Sequence, residues 1–478
     1  MTARAVLRDA QHANSNGAGP NGATIVLPPP SVPMDVAREF ARVKFLHADD
    51  SPTLRHWRGG FWHWKTSRWV EIEQRVVRAW AYEFTEHATY ERRDKKGEIE
   101  IVGWAPNRSK VADLLQAFEA TAHLPDTVAQ PTWIGVPDAP DDLIVACANG
   151  LLDVGERTLL DHDPRFFNQT AVPFAYDAKA PQPKQWLEFL QALWPEDPSS
   201  IAALQEWFGY IISGRLDLHK ILLLVGPTRG GKGAIARVLG ALVGRENVAG
   251  PTLSSLGTGF GLSTLIGKPL AVISDARLPT GRSSQTVVER LLAISGEDTI
   301  DVDRKYRDPW TGKLPSRFMV ISNELPKLGD ASAAIAGRFV PLQLSRSWLG
   351  KEDRELETRL HAELTGILNW SLDGLKRLTK NDHFTRPEST EEAMDTLMDL
   401  ASPAGAFVRD CCEQGEHETN FDEMWKAWKD WAEDNNHSRG TKQTFGKDLR
   451  AAVPSIRVKR PRAEGEKRKT IYWGIKPS

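Results

Sequence analysis

Four glycines and one lysine in the run Gly226-Pro227-Thr228-Arg229-Gly230-Gly231-Lys232-Gly233 have the types and spacing to grip a polyphosphate. Glycines let backbone N–H groups converge on β- and γ-phosphates, and Lys232 adds a point charge. A helix starting beyond them adds the partial positive charge of its N-terminus. Gly233 stands where such loops usually carry a Ser or Thr hydroxyl for Mg²⁺, so that oxygen is missing here. A Gly-rich turn that binds nothing is the plain alternative.

Two further polar residues end apolar runs. Asp275 closes Pro269–Ser274, and a carboxylate there is placed to hold a nucleotide's Mg²⁺ and attacking water. Asn323 closes Arg317–Ser322, and an amide there can orient water or sense the γ-phosphate. Taken singly, each is as well explained as a turn residue. Between them Ile300 and Val302 alternate with Asp301 and Asp303, before a basic-aromatic stretch and Pro309 to Gly312. That pattern predicts a hairpin carrying Arg304, Lys305 and Arg307; the bland reading is a solvated charged loop.

These residues need elements to position them. Ile221–Val225, short and fully apolar, predicts a strand buried on both faces, and Ala234–Leu239 begins a helix. Strand, loop and helix in that order are the setting in which a phosphate loop works. Helices are expected around Gln185–Leu193 and Ser199–Ile212, and an alternating α/β section runs over about 216–350. Further upstream, Gly60–Trp64 and Trp69–Ile72 read as strands, and their tryptophans as core rather than a base-stacking platform.

The 478 residues are 41% hydrophobic and 26% charged, an ordinary globular composition with room for several domains. With 61 basic against 63 acidic side chains and a net charge of −2, any nucleic-acid surface must be local. Cys147, Cys411 and Cys412 make neither a disulfide framework nor a Cys-x-x-Cys zinc site. No apolar run approaches the roughly 20 residues that span a bilayer. A cytosolic, reduced location without membrane attachment is the expectation.

The last 75 or so residues form a separate module. Phe421–Trp431 predicts an amphipathic helix whose Trp stripe is core, and a second helix spans about Thr441–Ala451. Ile456–Arg460 and Lys469–Trp473 then flank a polar, Gly-containing tip. Residues 451–478 hold eight Lys or Arg against two Glu, the footprint of phosphate-backbone contact. Helices followed by a basic hairpin predict a winged helix, with Arg457, Lys459, Arg460, Lys467, Arg468 and Lys469 toward DNA.

In this order the motifs resemble the superfamily 3 helicases, specifically the helicase half of phage and plasmid primase–helicases related to satellite-phage and poxvirus proteins. The resemblance begins near residue 140. Asn149–Asp153 and Asp163–Phe167 are similar to the family's accessory domain, and Gly226–Lys232 to its nucleotide loop. Ser274-Asp275 is similar to its acidic strand end, though many relatives have a second acid where Ser274 stands. Gly296–Lys313 is similar to its DNA-tracking hairpin, Ser322–Pro326 to its sensor strand, and Ala336–Phe339 to the segment with a trans-acting arginine.

The resemblance implies an α/β fold: an AAA+-type P-loop ATPase core with an N-terminal α+β accessory region and a C-terminal winged-helix domain. Expected boundaries are a disordered leader 1–34, an N-terminal α+β region 35–138, a helical accessory domain 139–215, the core 216–350, a helical segment and linker 351–400 and the winged helix 401–478. It implies ATP and Mg²⁺ as cofactors, a homo-hexameric ring, and DNA (single strand and fork) as partner, with a separate primase or polymerase alongside. Lys232 would bind the β/γ-phosphates, Asp275 hold Mg²⁺ through water, Asn323 position the attacking water, and Arg338 reach a neighbour's γ-phosphate. Arg304 and Lys305 would touch DNA phosphates. The rivals are an ATP-dependent initiator or loader, a catalytically dead ring, and a primase, for which Asp161-His162-Asp163 is the one tempting acidic unit.

Overall fold

A computed structural model describes residues 25–137, 143–274, 282–305, 309–326, 334–435, 437–459 and 470–478. The architecture is mixed α/β, in two compact units. One holds the described residues up to 137 with 146–152 and 159–171; the other holds 143–145, 153–158 and everything described from 172 onward.

In the first unit, the strands Leu54–Trp57, Gly60–Trp64 and Trp69–Ile72 form an antiparallel sheet. Helices Pro33–Lys44, Gln74–Glu86 and Arg108–Thr121 bury Phe40, Phe84 and Phe118 in one core. Trp57, Trp62 and Trp69 are buried against Phe167, so they are packing residues and no platform for bases.

His63, on the middle strand, lies edge-on to Phe45 and Trp80, and burial pushes its imidazole down to about 4. The unfolded chain therefore takes up a proton between its ordinary value of 6.5 and about 4 that the folded chain refuses. This contribution to stability is full above pH 6.5 and is lost as pH falls toward 4. It is on the order of 3 kcal/mol. Thermal melts across that range should show the slope, and His63→Leu should flatten it; an unchanged slope would place the effect elsewhere.

In the second unit a parallel sheet comprises β1 (Ile221–Val225), β2 (Val248–Ala249), β3 (Leu270–Ile273), β6 (Arg317–Ser322) and β7 (Phe339–Gln343). Its order is β2-β3-β6-β1-β7. Two short strands, β4 (Ile300–Val302) and β5 (Trp310–Gly312), pair antiparallel outside it. All five residues of β1 and all six of β6 are buried, as their apolar runs require for strands covered on both faces. Pro341 sits in β7, where edge position removes the need for its missing N–H.

Helices α1 (Lys184–Leu193), α2 (Pro198–Ser213), α3 (Lys232–Val243), α4 (Arg282–Ser295), α5 (Leu356–Ala362) and α6 (Leu364–Asn381) accompany the sheet. Helices α2 and α6 approach so closely that a Cβ on Gly209 would strike Leu375 and the Ser371 carbonyl at 2.6 Å. Glu206, fully buried on α2, is satisfied by Arg377 Nε at 2.6 Å and by the Thr385 N–H at 2.7 Å.

At the C-terminus, helix Pro403–Cys411, strand Cys412–Asn420, helices Phe421–Asp434 and Lys442–Ala452, and strands Arg457–Lys459 and Ile471–Pro477 follow in turn. Phe407, Met424, Trp428, Phe445, Leu449 and Ile475 share their core. Ile471–Pro477 is the centre of a three-stranded antiparallel sheet. No helix among the described residues is long and apolar enough to cross a membrane.

Candidate functional site

Residues 226–231 join the C-terminal end of β1 to the N-terminus of α3. Gly231 caps that helix with φ +92°, a left-handed conformation that favours glycine. Gly226 passes so near the Leu344 carbonyl that any Cβ would run into it. Its N–H donates to Ser322 O at 3.2 Å, tying the loop to β6. The segment after β7 holds the outer side: Ser347 Oγ donates to Thr228 O at 2.7 Å, and Trp348 N–H to Arg229 O at 3.1 Å. Arg229 is exposed and pairs with Glu352 at 3.4 Å, while Gly230 N–H closes a turn onto Pro227 O at 3.1 Å.

Lys232 is only 6% exposed. Its Nζ donates to Gly226 O at 2.5 Å, Pro227 O at 2.8 Å and Asn323 Oδ1 at 3.2 Å. Burial holds this ammonium below the ordinary lysine range. Lys232 and Asn323, 91 residues apart, thus meet at one end of neighbouring strands. A polyphosphate entering here would replace neutral carbonyl partners with charged oxygens, a stronger acceptor for a half-desolvated cation.

Other expected site residues lie elsewhere or outside the described residues. Asp275 falls outside them, as do Arg307, Arg460, Lys467, Arg468 and Lys469. Arg338 leads into β7, whose first residue pairs with Ile221, the first residue of β1. It therefore stands at the opposite end of the sheet from the loop, about 13 Å of strand away. Its Nη1 donates to His219 O at 3.4 Å.

Arg304 and Lys305 follow β4 after Asp303, and Lys305 Nζ lies 5.8 Å from the ring centre of Phe260, which is 50% exposed. In the C-terminal sheet, Arg457 and Lys459 flank Trp473 at 5.4 and 5.9 Å. Asp163 is held by Arg165 through Nε at 3.0 Å and Nη2 at 2.6 Å. Beside it a cleft of about 480 Å³ is lined by His47, Asp49, Trp133, Asp161 and His162. Among the described residues no group of three or more His, Cys, Asp or Glu could hold a metal.

Two residues near these sites carried no signal by type alone. Phe260 is far in sequence from the hairpin it adjoins. Arg237, four residues beyond Gly233, was findable from helical spacing, because i and i+4 share a face and side chains lean toward the N-terminus.

Three family matches run along the chain. Residues 43–195 match the family described as D5 N terminal like, residues 224–338 a family of unknown function (DUF5906), and residues 403–471 the family described as poxvirus D5 protein-like. A solved structure of the NrS-1 C terminal region is 14% identical over 88% of this chain and 96% of its own, with a TM-score of 0.48. A solved JCV helicase is 17% identical over 46% of this chain and 66% of its own, with a TM-score of 0.30. At these scores neither structural likeness carries a functional conclusion. D5-type matches thus lie on either side of the phosphate loop and the amide-bearing strand, and over those stretches the chain is similar to D5 proteins.

Proposed function

We propose that this chain is an ATP-driven DNA-unwinding motor for phage, prophage or plasmid replication, working as a homo-hexameric ring. The observation that carries the proposal is the meeting of the loop, Lys232 and Asn323 at one end of the parallel sheet. The strand order β2-β3-β6-β1-β7 supports an AAA+-type core, with the loop strand between the amide strand and the last strand.

In this reading Lys232 leaves the Gly226 and Pro227 carbonyls for the β/γ-phosphates, and Asn323, released from Lys232, orients the attacking water. Arg338 faces away from its own loop, which supports service to a neighbouring subunit's γ-phosphate. There its charge would offset what develops in the transition state. Hydrolysis would shift β4 and β5, moving Arg304 and Lys305, with Phe260 beside them, relative to one DNA strand. A cation beside an exposed ring suits a phosphate and its base together.

The loop fits a triphosphate, but it does not fit Mg²⁺ held by a hydroxyl: Gly233 brings no oxygen, and the space its side chain would fill adjoins a guanidinium. The other expected metal residue, Asp275, is outside the described residues, and no step is assigned to the metal.

The helix–strand–helix–helix–strand–strand order of residues 403–477 supports the winged-helix reading. Deleting the end of the chain is a poor test, because Tyr472 and Ile475 are core residues. Charge reversal at Arg457 and Lys459 should instead weaken duplex binding and reduce its salt dependence by about one charge per residue. Unchanged affinity and salt slope would remove this surface from DNA.

Strand displacement on a tailed duplex tests the whole proposal. The wild type should displace the strand with ATP, and Lys232→Ala should not. ATP hydrolysis without displacement under any tail polarity would overturn the motor and favour a loader.

A further inference from the structure

Gly233 leaves a gap in the loop's equipment, and one side chain lies against it. A Cβ built on Gly233 would come 3.1 Å from Nη1 and 4.0 Å from Cζ of Arg237. Arg237 stands one helical turn further along α3, and its side chain leans back over Gly233 toward the helix N-terminus that Lys232 begins. Its Nε pairs with Glu357 Oε2 on α5 at 2.7 Å, and the arginine side chain is 55% exposed. A half-exposed guanidinium is thus parked beside the position where other phosphate loops place their metal-binding hydroxyl.

We propose that Arg237 is a nucleotide-binding residue that takes over the charge a hydroxyl-held Mg²⁺ would supply. On binding, its guanidinium leaves Glu357 and donates to oxygens of the β- and γ-phosphates. The planar fork suits two phosphate oxygens, and a nearby carboxylate is a partner it can exchange for a more highly charged one. Two cations do not share one spot without repulsion, so nucleotide affinity here depends less on Mg²⁺ than in a loop with Ser or Thr. The inference rests on the phosphate-loop reading.

Equilibrium binding of a fluorescent ATP analogue to the full chain, in Mg²⁺ and in EDTA, tests it. Arg237→Gln keeps the aliphatic stem and removes the charge; at so exposed a position it should melt within a few degrees of the wild type. Losing charge-assisted bonds to phosphate should weaken binding about 10- to 100-fold, in EDTA as well as in Mg²⁺. Glu357→Gln breaks the same ion pair but leaves the cation, so it should bind at least as tightly as the wild type. Adding Gly233→Ser to Arg237→Gln should return affinity in Mg²⁺ and not in EDTA.

If Arg237→Gln binds like the wild type while Lys232→Ala does not bind, the inference fails and the phosphate loop stands. If Glu357→Gln loses as much as Arg237→Gln, the arginine is structural and the inference also fails. If Lys232→Ala leaves binding unchanged, the loop reading itself is wrong.

Discussion

Lys232→Ala should lower ATP hydrolysis by about 10²- to 10³-fold, the loss expected when one preorganised donor to developing charge is removed. The expectation comes from the state of the ammonium before nucleotide arrives. It is buried, drawn below the usual lysine range by that burial, and held by two carbonyls and an amide oxygen. A phosphate offers it full negative charge in the same low-dielectric setting, so the exchange favours nucleotide strongly. The same variant should lose the rise in melting temperature that ATP gives the wild type, because stabilisation by a ligand follows its affinity for the folded state. Hydrolysis within a few-fold of the wild type, together with an intact ATP-dependent melting shift, would remove Lys232 from the site.

Arg338→Ala should cost more in rate and almost nothing in binding. An arginine supplied across an interface in nucleotide hydrolases is worth about 10³–10⁵ in rate, acting on charge that appears only in the transition state. Within its own subunit Arg338 is bonded to the His219 carbonyl at the far end of β1 from the loop, so its own triphosphate is beyond reach. Mixing Arg338→Ala with Lys232→Ala subunits should therefore restore part of the activity. In a mixed ring some interfaces pair an intact lysine from one variant with an intact arginine from the other. Arg338→Lys should preserve folding but recover little rate, since a lysine lacks the fork. Equal losses in nucleotide affinity and rate, or no recovery on mixing, would make Arg338 a packing residue.

Much of the core was legible because strands buried on both faces announce themselves as unbroken apolar runs. Ile221–Val225, Leu270–Ile273 and Arg317–Ser322 are strands where their runs lie, and Lys232–Val243 is the helix that the loop predicts. The hairpin of Ile300–Val302 with Trp310–Gly312 was visible through alternation. Less legible were Val248–Ala249, only two residues long, and Phe339–Gln343, which carries a proline that only an edge strand accepts. Cys412–Asn420 was missed because it is a charged strand with no apolar run, laddered antiparallel to Ile471–Pro477, with Glu413 near Lys476 at 2.8 Å and Glu418 near Lys459 at 3.2 Å.

Residue order alone set which residue types stand at the ends of which strands, and hence that Lys232 and Asn323 could serve a triphosphate. That information is local: residue order, apolar runs and glycine spacing set short stretches of backbone without reference to the rest of the chain. The contact of Lys232 with Asn323, the place of Arg338 at the far end of β1 from its own loop and the position of Phe260 beside Lys305 arise only once the chain is packed. Such contacts depend on strand order and on which side chains the folded sheet brings to one end, and no local pattern encodes a neighbour 91 residues away.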